Sequence, residues 1–384
     1  MDCVRIGLVG VGNMGSNYAR MFREGKFQRA KLTAVCDLVE AKLEPYNECL
    51  RFTDSHQMIT SGEIDAVMVV TPHYSHTTIG IDALNSGLHV LTDKPISVHK
   101  ADCERLIAAH KDERQVFAAM FNQRTIPAFI ELRKLIREGR LGEIVRVNWI
   151  ITSWFRSDAY YASSGWRATW KGEGGGVLLN QCPHQLDLLQ WFLGMPSRVR
   201  AFCHFGKHHD IEVEDDLTAY LEYPNGATGV FITSTGESPG SSRLEIAGDK
   251  GRVVIGENGF SFVENDTPTS EFSRTTEELW GAPGCHEVEA PAQKPGGEHA
   301  EIIQNFVDAI LDGVPLIARA EEGINSVELA NSMIYSTLVD RTVDLPLDSA
   351  AYEKALAELV AKSTLEKQVR EVTAADMSKS YQKP

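Results

Sequence analysis

Residues 4–15 read Val-Arg-Ile-Gly-Leu-Val-Gly-Val-Gly-Asn-Met-Gly, a short apolar run that leads into glycines spaced Gly-x-Gly-x-x-Gly. The apolar run predicts a buried strand. Gly10 permits a tight turn after the strand, Gly12 lets a phosphate approach the backbone, and Gly15 lets the next helix pack closely. Asp37 ends the following apolar run, where a carboxylate can accept hydrogen bonds from ribose hydroxyls. The stretch therefore predicts a dinucleotide-binding βαβ unit.

Strand and helix patterns alternate through the first 124 residues. Expected strands cover residues 4–9, 31–36, 66–71, 89–92 and 115–121, and expected helices include residues 15–24, 77–86 and 100–111. This alternation predicts a parallel sheet with helices on both faces. A glycine-rich turn in another α/β fold, such as a methyltransferase, is the alternative to a nucleotide site.

After Arg124 the pattern changes to long runs in which polar and apolar residues alternate. These runs cover residues 145–154, 199–203, 217–223, 228–234, 243–247 and 252–255, with expected helices at 127–138, 298–312 and 320–337. They predict a mostly antiparallel sheet with one open face. Residues 264–295 are rich in Pro, Gly, Glu and Thr and are expected to form an exposed loop.

The expected fold class is therefore α/β, with two domains. Residues 1–124 form an N-terminal Rossmann domain with a doubly wound parallel sheet. Residues 125–384 form a C-terminal α/β domain with a large, mostly antiparallel open sheet, and this domain ends in a helical segment at about 346–384.

Composition restricts the partners and the compartment. The 384 residues carry a net charge of −15, whereas a nucleic acid or an anionic membrane surface requires a basic face. The apolar runs are of strand length and cannot span a bilayer, and the N-terminus enters a strand directly, without a signal-peptide pattern. Seven cysteines without a Cys-x-x-Cys pair indicate reduced thiols, so a cytoplasmic protein is expected.

Two side chains have the chemistry for an alcohol oxidation. Lys94 precedes Pro95, and His184 follows the glycine run at 174–176. An alcohol loses a proton as its carbon loses a hydride, and a histidine of ordinary pKa near ~6.5 can accept that proton at neutral pH. Lys94 stabilises the developing alkoxide or, if burial lowers its pKa, is itself the base. Asp187, three residues after His184, either orients the imidazole or caps the helix.

With these residues the chain resembles the Gfo/Idh/MocA oxidoreductases, the glucose-fructose oxidoreductase and inositol dehydrogenase family. The resemblance covers nearly the whole chain and is carried, in order, by Gly10–Gly15, Val70-Thr71-Pro72 with His76, Asp93-Lys94-Pro95, Asn122-Gln123-Arg124, Gly174-Gly175-Gly176 through His184 and Asp187, and Glu322-Gly323. It implies sugar or cyclitol substrates and a homodimer or homotetramer built on the open sheet.

The cofactor is expected to be NAD, because the glycine fingerprint and Asp37 suit a dinucleotide. The residues expected to bind it are Gly10, Gly12, Asn13, Met14, Gly15, Asp37, Thr71, Pro72, His76, Asp93, Lys94, Asn122 and Gln123. Asp37 would repel the 2′-phosphate of NADP, so NAD is expected to be preferred. Lys31 and Lys42 lie nearby in sequence but are expected to be badly placed to reverse this preference.

Two positions depart from the family pattern. Asp93 stands where the family often has Glu before the Lys-Pro pair, which is a conservative change. Asn180 stands where the family usually has an acid four residues before the catalytic histidine. An amide cannot titrate, so Asn180 is expected to hydrogen-bond a substrate hydroxyl while His184 and Lys94 share the proton transfer.

Aromatic and basic residues crowd into residues 154–170. A sugar presents apolar C–H faces and hydroxyl edges, which suit aromatic rings flanked by donors. About half of these aromatic side chains are expected to pack in the interface between the two domains instead. The residues expected to bind substrate are Arg124, Arg156, Tyr161, Trp166, Arg167, Asn180, His184 and His299. For His299, which opens a late helix, a surface position at the helix start is an equal alternative.

A metal site is not expected. The side chains of His204, His208, His209 and Asp210 have metal-ligand chemistry, but they lie at a strand end and a polar turn without matching ligands elsewhere in the sequence.

The sequence is compatible with three functions. The leading hypothesis is an NAD-dependent dehydrogenase that oxidises a secondary hydroxyl of a sugar, glycoside or cyclitol. The second is a redox-neutral glycosidase or epimerase that oxidises its substrate transiently, with Tyr160 or Tyr161 as an additional acid or base. The third is a non-catalytic dinucleotide sensor, which the presence of both Lys94 and His184 disfavours. Accumulation of NADH separates the first hypothesis from the second.

Overall fold

The computed structural model describes residues 2–289, 296–367 and 369, which form two sheets with helices packed around them. Over these residues the first sheet has six parallel strands in the order β3-β2-β1-β4-β5-β6. The strands are β1 (Val4–Val9), β2 (Ala30–Cys36), β3 (Leu50–Phe52), β4 (Ala66–Val69), β5 (His89–Thr92) and β6 (Phe117–Ala119). The strand order reverses between β1 and β4, so a crevice opens there at the carboxyl ends of the strands.

The helices of this half are α1 (Asn13–Arg23), α2 (Ser55–Ile59), α3 (Tyr74–Asn85) and α4 (Lys100–Ala109). Strand β3 was not predicted, because three partly exposed residues at a sheet edge give no periodic signal. Residues 115–121 were predicted as one strand, but only Phe117–Ala119 pair with β5.

The second sheet runs β14-β13-β12-β11-β7-β10-β9-β8-β15 across the part of the chain that the structure describes. Its strands are β7 (Ile144–Ile151), β8 (Arg198–Phe205), β9 (Glu214–Glu222), β10 (Thr228–Ser234), β11 (Ser242–Gly248), β12 (Gly251–Gly256), β13 (Gly259–Asn265), β14 (Cys285–Val288) and β15 (Val343–Asp344). The pairing of β7 with β10 is parallel and the other pairings are antiparallel. The expected α/β class, with a Rossmann sheet and a mostly antiparallel sheet, is confirmed.

Helices cover the inner face of the second sheet. The helices of this half of the described chain are α5 (Pro127–Arg137), α6 (Asp158–Tyr161), α7 (Val177–Asn180), α8 (Pro183–Leu193), α9 (Thr269–Thr275), α10 (His299–Asp312), α11 (Gly323–Leu338) and α12 (Ser349–Ala361), of which α8 and α11 pack on that face. Leucines of α8 and Met333 of α11 pack in one apolar core with Trp149 and Phe231 of the sheet. This packing places the short turn between α7 and α8 beside the crevice of the first sheet.

Helix α10 returns from the second half of the chain to the first sheet. Its Ile302, Ile303 and Phe306 share an apolar core with Val4 and Ile6 of β1. The Rossmann core therefore uses residues beyond the expected boundary at 124, although that boundary still separates the two sheets.

The prediction that residues 264–295 form an exposed loop is wrong for part of the segment. Helix α9 and strand β14 lie within it, because β14 pairs with the edge strand β13. Residues 290–295 lie outside the described residues. The expected C-terminal helix is present as α12, and residues 368 and 370–384 of that segment also lie outside the described residues.

None of the helices in the described part of the chain combines the length and the hydropathy that a bilayer crossing requires.

Candidate active site

The glycine loop between β1 and α1 has the shape that a pyrophosphate requires. Gly10 has φ of +91°, and a Cβ there would lie 2.5 Å from the carbonyl oxygen of Val70. A Cβ on Gly15 would lie 1.8 Å from the carbonyl oxygen of Gly10, so neither position accepts a larger residue. Gly12 is exposed and faces open space at the N-terminus of α1, where no side chain caps the helix. The positive end of α1 is thus open to an anion.

Asp37 lies just beyond the carboxyl end of β2, and two backbone amides hold its carboxylate. The N–H of Val11 donates to Oδ2 at 3.1 Å, and the N–H of Val39 donates to Oδ1 at 3.0 Å. The Nζ of Lys42 lies 3.6 Å from Oδ1, so the expectation that Lys42 is badly placed is wrong. The Lys42 side chain is half-exposed, which screens its effect, and both carboxylate oxygens keep lone pairs for ribose hydroxyls.

Polar atoms without partners line the rest of the crevice. Thr71 Oγ1 and Asn122 Oδ1 are buried and have no hydrogen-bond partner among the described residues. Gln123 Oε1 accepts from Gln185 at 3.0 Å, and Asp93 Oδ1 accepts the N–H of Lys94 at 2.8 Å. Asn13 and Pro72 are exposed, and Met14 is partly exposed. The glycine loop, Asp37 and these unsatisfied atoms fit a bound dinucleotide.

His76 is buried beneath the site and supports two of its loops. It does not line the crevice, which corrects the expectation that it touches the cofactor. The residue is almost fully buried. One ring nitrogen lies 2.8 Å from the carbonyl oxygen of Pro95, and the other lies 2.7 Å from that of Thr71. His76 therefore connects the loop after β4 with the loop after β5, and this connection sets the position of Lys94.

Lys94 reaches from the first sheet to the turn that precedes α8. Its Nζ donates to the backbone carbonyl oxygen of Asn180 at 2.8 Å. Burial lowers the pKa of Lys94; Asp93 and Glu173 oppose this effect, and Arg167 and Arg156 add to it. Lys94 retains two further N–H donors for a substrate oxygen.

Asn180 is the centre of a polar chain that the sequence did not predict. Its Nδ2 donates to Glu173 Oε1, and its Oδ1 accepts from the Tyr160 hydroxyl at 3.0 Å and from Gln181 at 3.0 Å. Glu173 is only 2% exposed, and burial raises its pKa. A carboxyl group is thus present beside position 180, although position 180 is itself an amide. The expected contact between Asn180 and a substrate hydroxyl remains a prediction.

His184 lies in the first turn of α8, with 6% of its surface exposed. Its Nδ1 is buried and has no hydrogen-bond partner among the described residues. The ring meets Phe121 edge to face at a centroid distance of 6.2 Å. Burial, followed by the charge of Lys94, lowers the pKa of His184 well below its ordinary value, so the imidazole is neutral at pH 7.

Arg124 and Asp187 form a buried ion pair, and two expectations are corrected by it. Arg124 Nε and Nη2 donate to the two carboxylate oxygens of Asp187 at 2.7 and 2.6 Å, and Nη1 donates to Glu322 at 2.5 Å. The side chains of Arg124 and Asp187 are 1% and 0% exposed. Arg124 therefore joins three segments and leaves almost no surface for a substrate, and the Asp187 carboxylate bonds to Arg124 and Gln190, with no bond to His184 or to the start of α8 among the described residues.

Tyr161 is also corrected to a structural residue. It is buried, its hydroxyl bonds with Thr235 at 2.9 Å, and its ring packs on His209 at a centroid distance of 4.7 Å. Arg156, Trp166 and Arg167 are partly exposed near Tyr160 and remain predicted substrate residues. His299 opens α10 in a partly exposed position, and burial of its ring lowers its pKa to about 4.

The histidines that have metal-ligand chemistry, but at which no metal site was expected, contact other groups of the protein. His209 contacts Asp215 at 3.0 Å and the carbonyl oxygen of Arg156 at 2.8 Å, and His208 contacts Asp216 at 3.4 Å. The described residues contain no group of three or more His, Cys, Asp or Glu side chains that could hold a metal ion.

Sequence reasoning missed two buried groups in the site. Glu173 directly precedes the glycine run at 174–176, and that position was its only signal. His73 lies between Pro72 and His76 in a segment that was read as a cofactor loop. Burial lowers the pKa of His73 well below its ordinary value, and its Nδ1 has no hydrogen-bond partner in the described part of the chain.

Two family models match this chain. The model described as "Oxidoreductase family, NAD-binding Rossmann fold" matches residues 4–121, and the model described as "GFO/IDH/MocA C-terminal domain" matches residues 129–254. Together they include Lys94, Asn180 and His184.

Characterised relatives and solved structures match along most of the chain. A myo-inositol 2-dehydrogenase from Thermotoga maritima is 25% identical over 356 residues, which is 89% of this chain and 98% of the relative. A 2,7-anhydro-N-acetylneuraminate hydratase from Escherichia coli is 28% identical over 66% of this chain and 67% of its own length. The WlbA dehydrogenase from Chromobacterium violaceum, solved with NADH and UDP-GlcNAcA, is 27% identical with a TM-score of 0.78, covering 91% of this chain and 97% of that chain.

Proposed function

Because this chain belongs to the GFO/IDH/MocA oxidoreductase family, we propose that it oxidises a secondary hydroxyl of a sugar, glycoside or cyclitol with NAD as the hydride acceptor. The observation that carries the proposal is the meeting of Lys94 and His184 at one end of the crevice that the glycine loop opens. Bound NAD supplies the acceptor for the hydride, and the chain supplies the groups that handle the alcohol proton.

His184 is the proposed proton acceptor. Its imidazole is neutral at pH 7, so one ring nitrogen carries a lone pair that can accept a proton, and Nδ1 makes no hydrogen bond to the described residues. The edge contact with Phe121 and the start of α8 restrict the ring. A neutral, restricted imidazole meets the requirement for a base toward a hydroxyl.

Lys94 is proposed to donate a hydrogen bond to the oxygen that becomes an alkoxide. The contact with the Asn180 carbonyl uses one of its three N–H groups and directs the others. A cationic donor aimed at developing negative charge lowers the barrier of proton loss. Because burial also lowers the pKa of Lys94, Lys94 as the base remains the competing assignment.

Glu173 is proposed as a positioning residue for this pair. Its carboxyl oxygens accept from the Asn180 side chain and from the N–H of Ala168, which restrains the turn whose carbonyl oxygen binds Lys94. Its negative charge also raises the pKa of Lys94. Glu173 thereby acts on the reaction through Asn180 and Lys94.

The cofactor residues are proposed from their positions around the crevice. Gly10, Gly12 and Gly15, with the start of α1, would hold the pyrophosphate, and Asp37 would bind the adenosine ribose. Thr71 Oγ1 and Asn122 Oδ1, which have no hydrogen-bond partner in the described part of the chain, lie in the same crevice. We propose the domain boundary at residues 124 and 125, with α10 as an addition to the Rossmann core.

A redox-neutral reaction is the second candidate. The polar chain from Tyr160 through Asn180 to Glu173 places additional titratable groups beside Lys94, as a transient oxidation followed by elimination requires. A relative of this chain is named as a hydratase. Release of a leaving group or of water without accumulation of NADH would favour this candidate.

The open face of the second sheet supports a homodimer or homotetramer. Phe202 and Tyr220 are exposed on β8 and β9, and Val230 lies opposite Tyr220 on β10. Apolar side chains on an uncovered sheet face are typical of an interface between subunits. Light scattering should give at least twice the mass of one chain.

Seven unpaired cysteines support a reducing compartment, the cytoplasm.

A spectrophotometric screen tests the proposed function. The wild-type protein with NAD is offered sugars, glycosides and cyclitols, and NADH is followed at its absorbance band. At least one substrate should produce NADH, and Lys94→Ala should abolish the signal while the protein still binds NADH. Failure of the entire panel, or an equal signal from Lys94→Ala, would contradict the proposal.

A further inference from the structure

Positive charge is concentrated around Tyr160. The guanidinium carbon of Arg167 lies 4.6 Å from the centroid of the Tyr160 ring, and that of Arg156 lies 5.1 Å from the same centroid. Nη1 of Arg167 also donates to the Tyr160 hydroxyl at 2.7 Å, and this hydroxyl connects through Asn180 to Lys94. Three cations therefore share the region next to the proposed reaction centre.

Two of these cations donate hydrogen bonds to uncharged groups. Arg167 donates to the Tyr160 hydroxyl, and Lys94 donates to a backbone carbonyl oxygen. Nε of Arg167 is buried and has no hydrogen-bond partner among the described residues. A buried donor without an acceptor is unfavourable, so a ligand that brings an acceptor to Arg167 gains affinity.

The carboxyl group nearest in the network is already engaged. Glu173 accepts from the N–H of Ala168 at 2.5 Å and from the Asn180 side chain. Lys367 adds another positive charge, because its Nζ donates to the carbonyl oxygen of Arg167 at 2.5 Å. Both oxygens of the Glu173 carboxylate are therefore in use within the protein, and neither is given a direct hydrogen bond to Arg167.

We propose that the substrate is a sugar acid whose carboxylate binds Arg167 and Arg156, while the hydroxyl to be oxidised faces Lys94 and His184. The proposal rests on the proposed function, because it names the substrate class of that same site. A planar guanidinium binds a planar carboxylate through two parallel hydrogen bonds, and a neutral sugar offers no comparable partner.

Calorimetry on the NADH complex tests this proposal without relying on turnover. D-Glucuronate and D-glucose, and D-galacturonate and D-galactose, are titrated as matched pairs into the wild type and into Arg167→Gln. Glucose 6-phosphate is titrated separately, as a sugar whose negative charge comes from a phosphate ester and not from a carboxylate. Arg114→Gln is the matched control, because Arg114 is exposed and its ion pair among the described residues is with neighbouring Asp112 in the Rossmann domain.

At least one uronate should bind the wild type about tenfold or more tightly than its neutral partner, since hydrogen bonds to charged groups contribute at this scale. Arg167→Gln should reduce that preference to threefold or less, and Arg114→Gln should leave it unchanged. Equal binding of acid and neutral sugar, no binding of either, stronger binding of the phosphate ester, or an unchanged preference in Arg167→Gln would each overturn the proposal. If the NADH screen succeeds with a neutral sugar while the uronates bind no better, the proposed function stands and only this inference fails.

Discussion

Removal of the Asp187 carboxylate should destabilise the protein far more than removal of the Glu322 carboxylate, although both pair with Arg124. Asp187 is 0% exposed and accepts two hydrogen bonds from a guanidinium that is 1% exposed, whereas Glu322 is 42% exposed. Breaking a buried pair by removing one partner costs about 3–5 kcal/mol. Because Glu322 still contacts the cation, we expect about 3 kcal/mol for Asp187→Ala. A partly exposed pair contributes about 0–1 kcal/mol, which is the expectation for Glu322→Gln.

Scanning calorimetry and urea unfolding of the two variants measure this difference. At about 2–4 °C per kcal/mol for domains of this size, Asp187→Ala should lower Tm by about 6–12 °C. The double variant Arg124→Met/Asp187→Leu should recover much of this loss, because it leaves no buried charge without a partner. An Asp187→Ala protein with wild-type Tm but a much reduced kcat would refute the reasoning and would return Asp187 to a role in orienting His184.

Three further predictions concern the site. Lys94→Ala and His184→Ala should each lower kcat by about 100-fold or more, with NADH affinity nearly unchanged for His184→Ala, and steady-state kinetics with calorimetry measure both. Asp37→Ala should narrow a preference for NAD over NADP that we expect to be at least about tenfold, because the 2′-phosphate would no longer meet the carboxylate, and titration with both cofactors checks this. Glu173→Gln removes a negative charge that raises the pKa of Lys94, so the limb of the pH profile that reports Lys94 should move to lower pH; an unmoved limb would contradict the positioning role.

The Rossmann half could be predicted because its signals are local. A strand, three glycines at set spacing and an acidic residue at the next strand end lie within about 35 residues, and each has a direct physical reason. The turn between β9 and β10 has an equally local signal, since Asn225-Gly226 suits a tight turn and Gly226 has φ of +86°. The short β3 and β14 were missed because pairing to an existing sheet edge, and not their own composition, defines them.

Contacts between distant segments could not be predicted. Arg124 and Asp187 each suggested a role in the site, and their mutual pairing depends on how α8 packs against the turn after β6. Asn180 pointed to a missing acid, whereas the fold places the Glu173 carboxyl beside it. Single residues at strand ends were identified by type and spacing, and their partners emerged only from tertiary packing.

The most direct test of the central claim follows the hydride itself. A substrate identified in the NADH screen is deuterated at the carbon that carries the reacting hydroxyl and is incubated with NAD and the wild-type protein. Mass spectrometry should find one deuterated NADH for each molecule of ketone product, because a dehydrogenase leaves the hydride on the cofactor. Product that forms while the cofactor remains NAD, with deuterium retained in or returned to the sugar, would contradict net oxidation and establish the redox-neutral reaction instead.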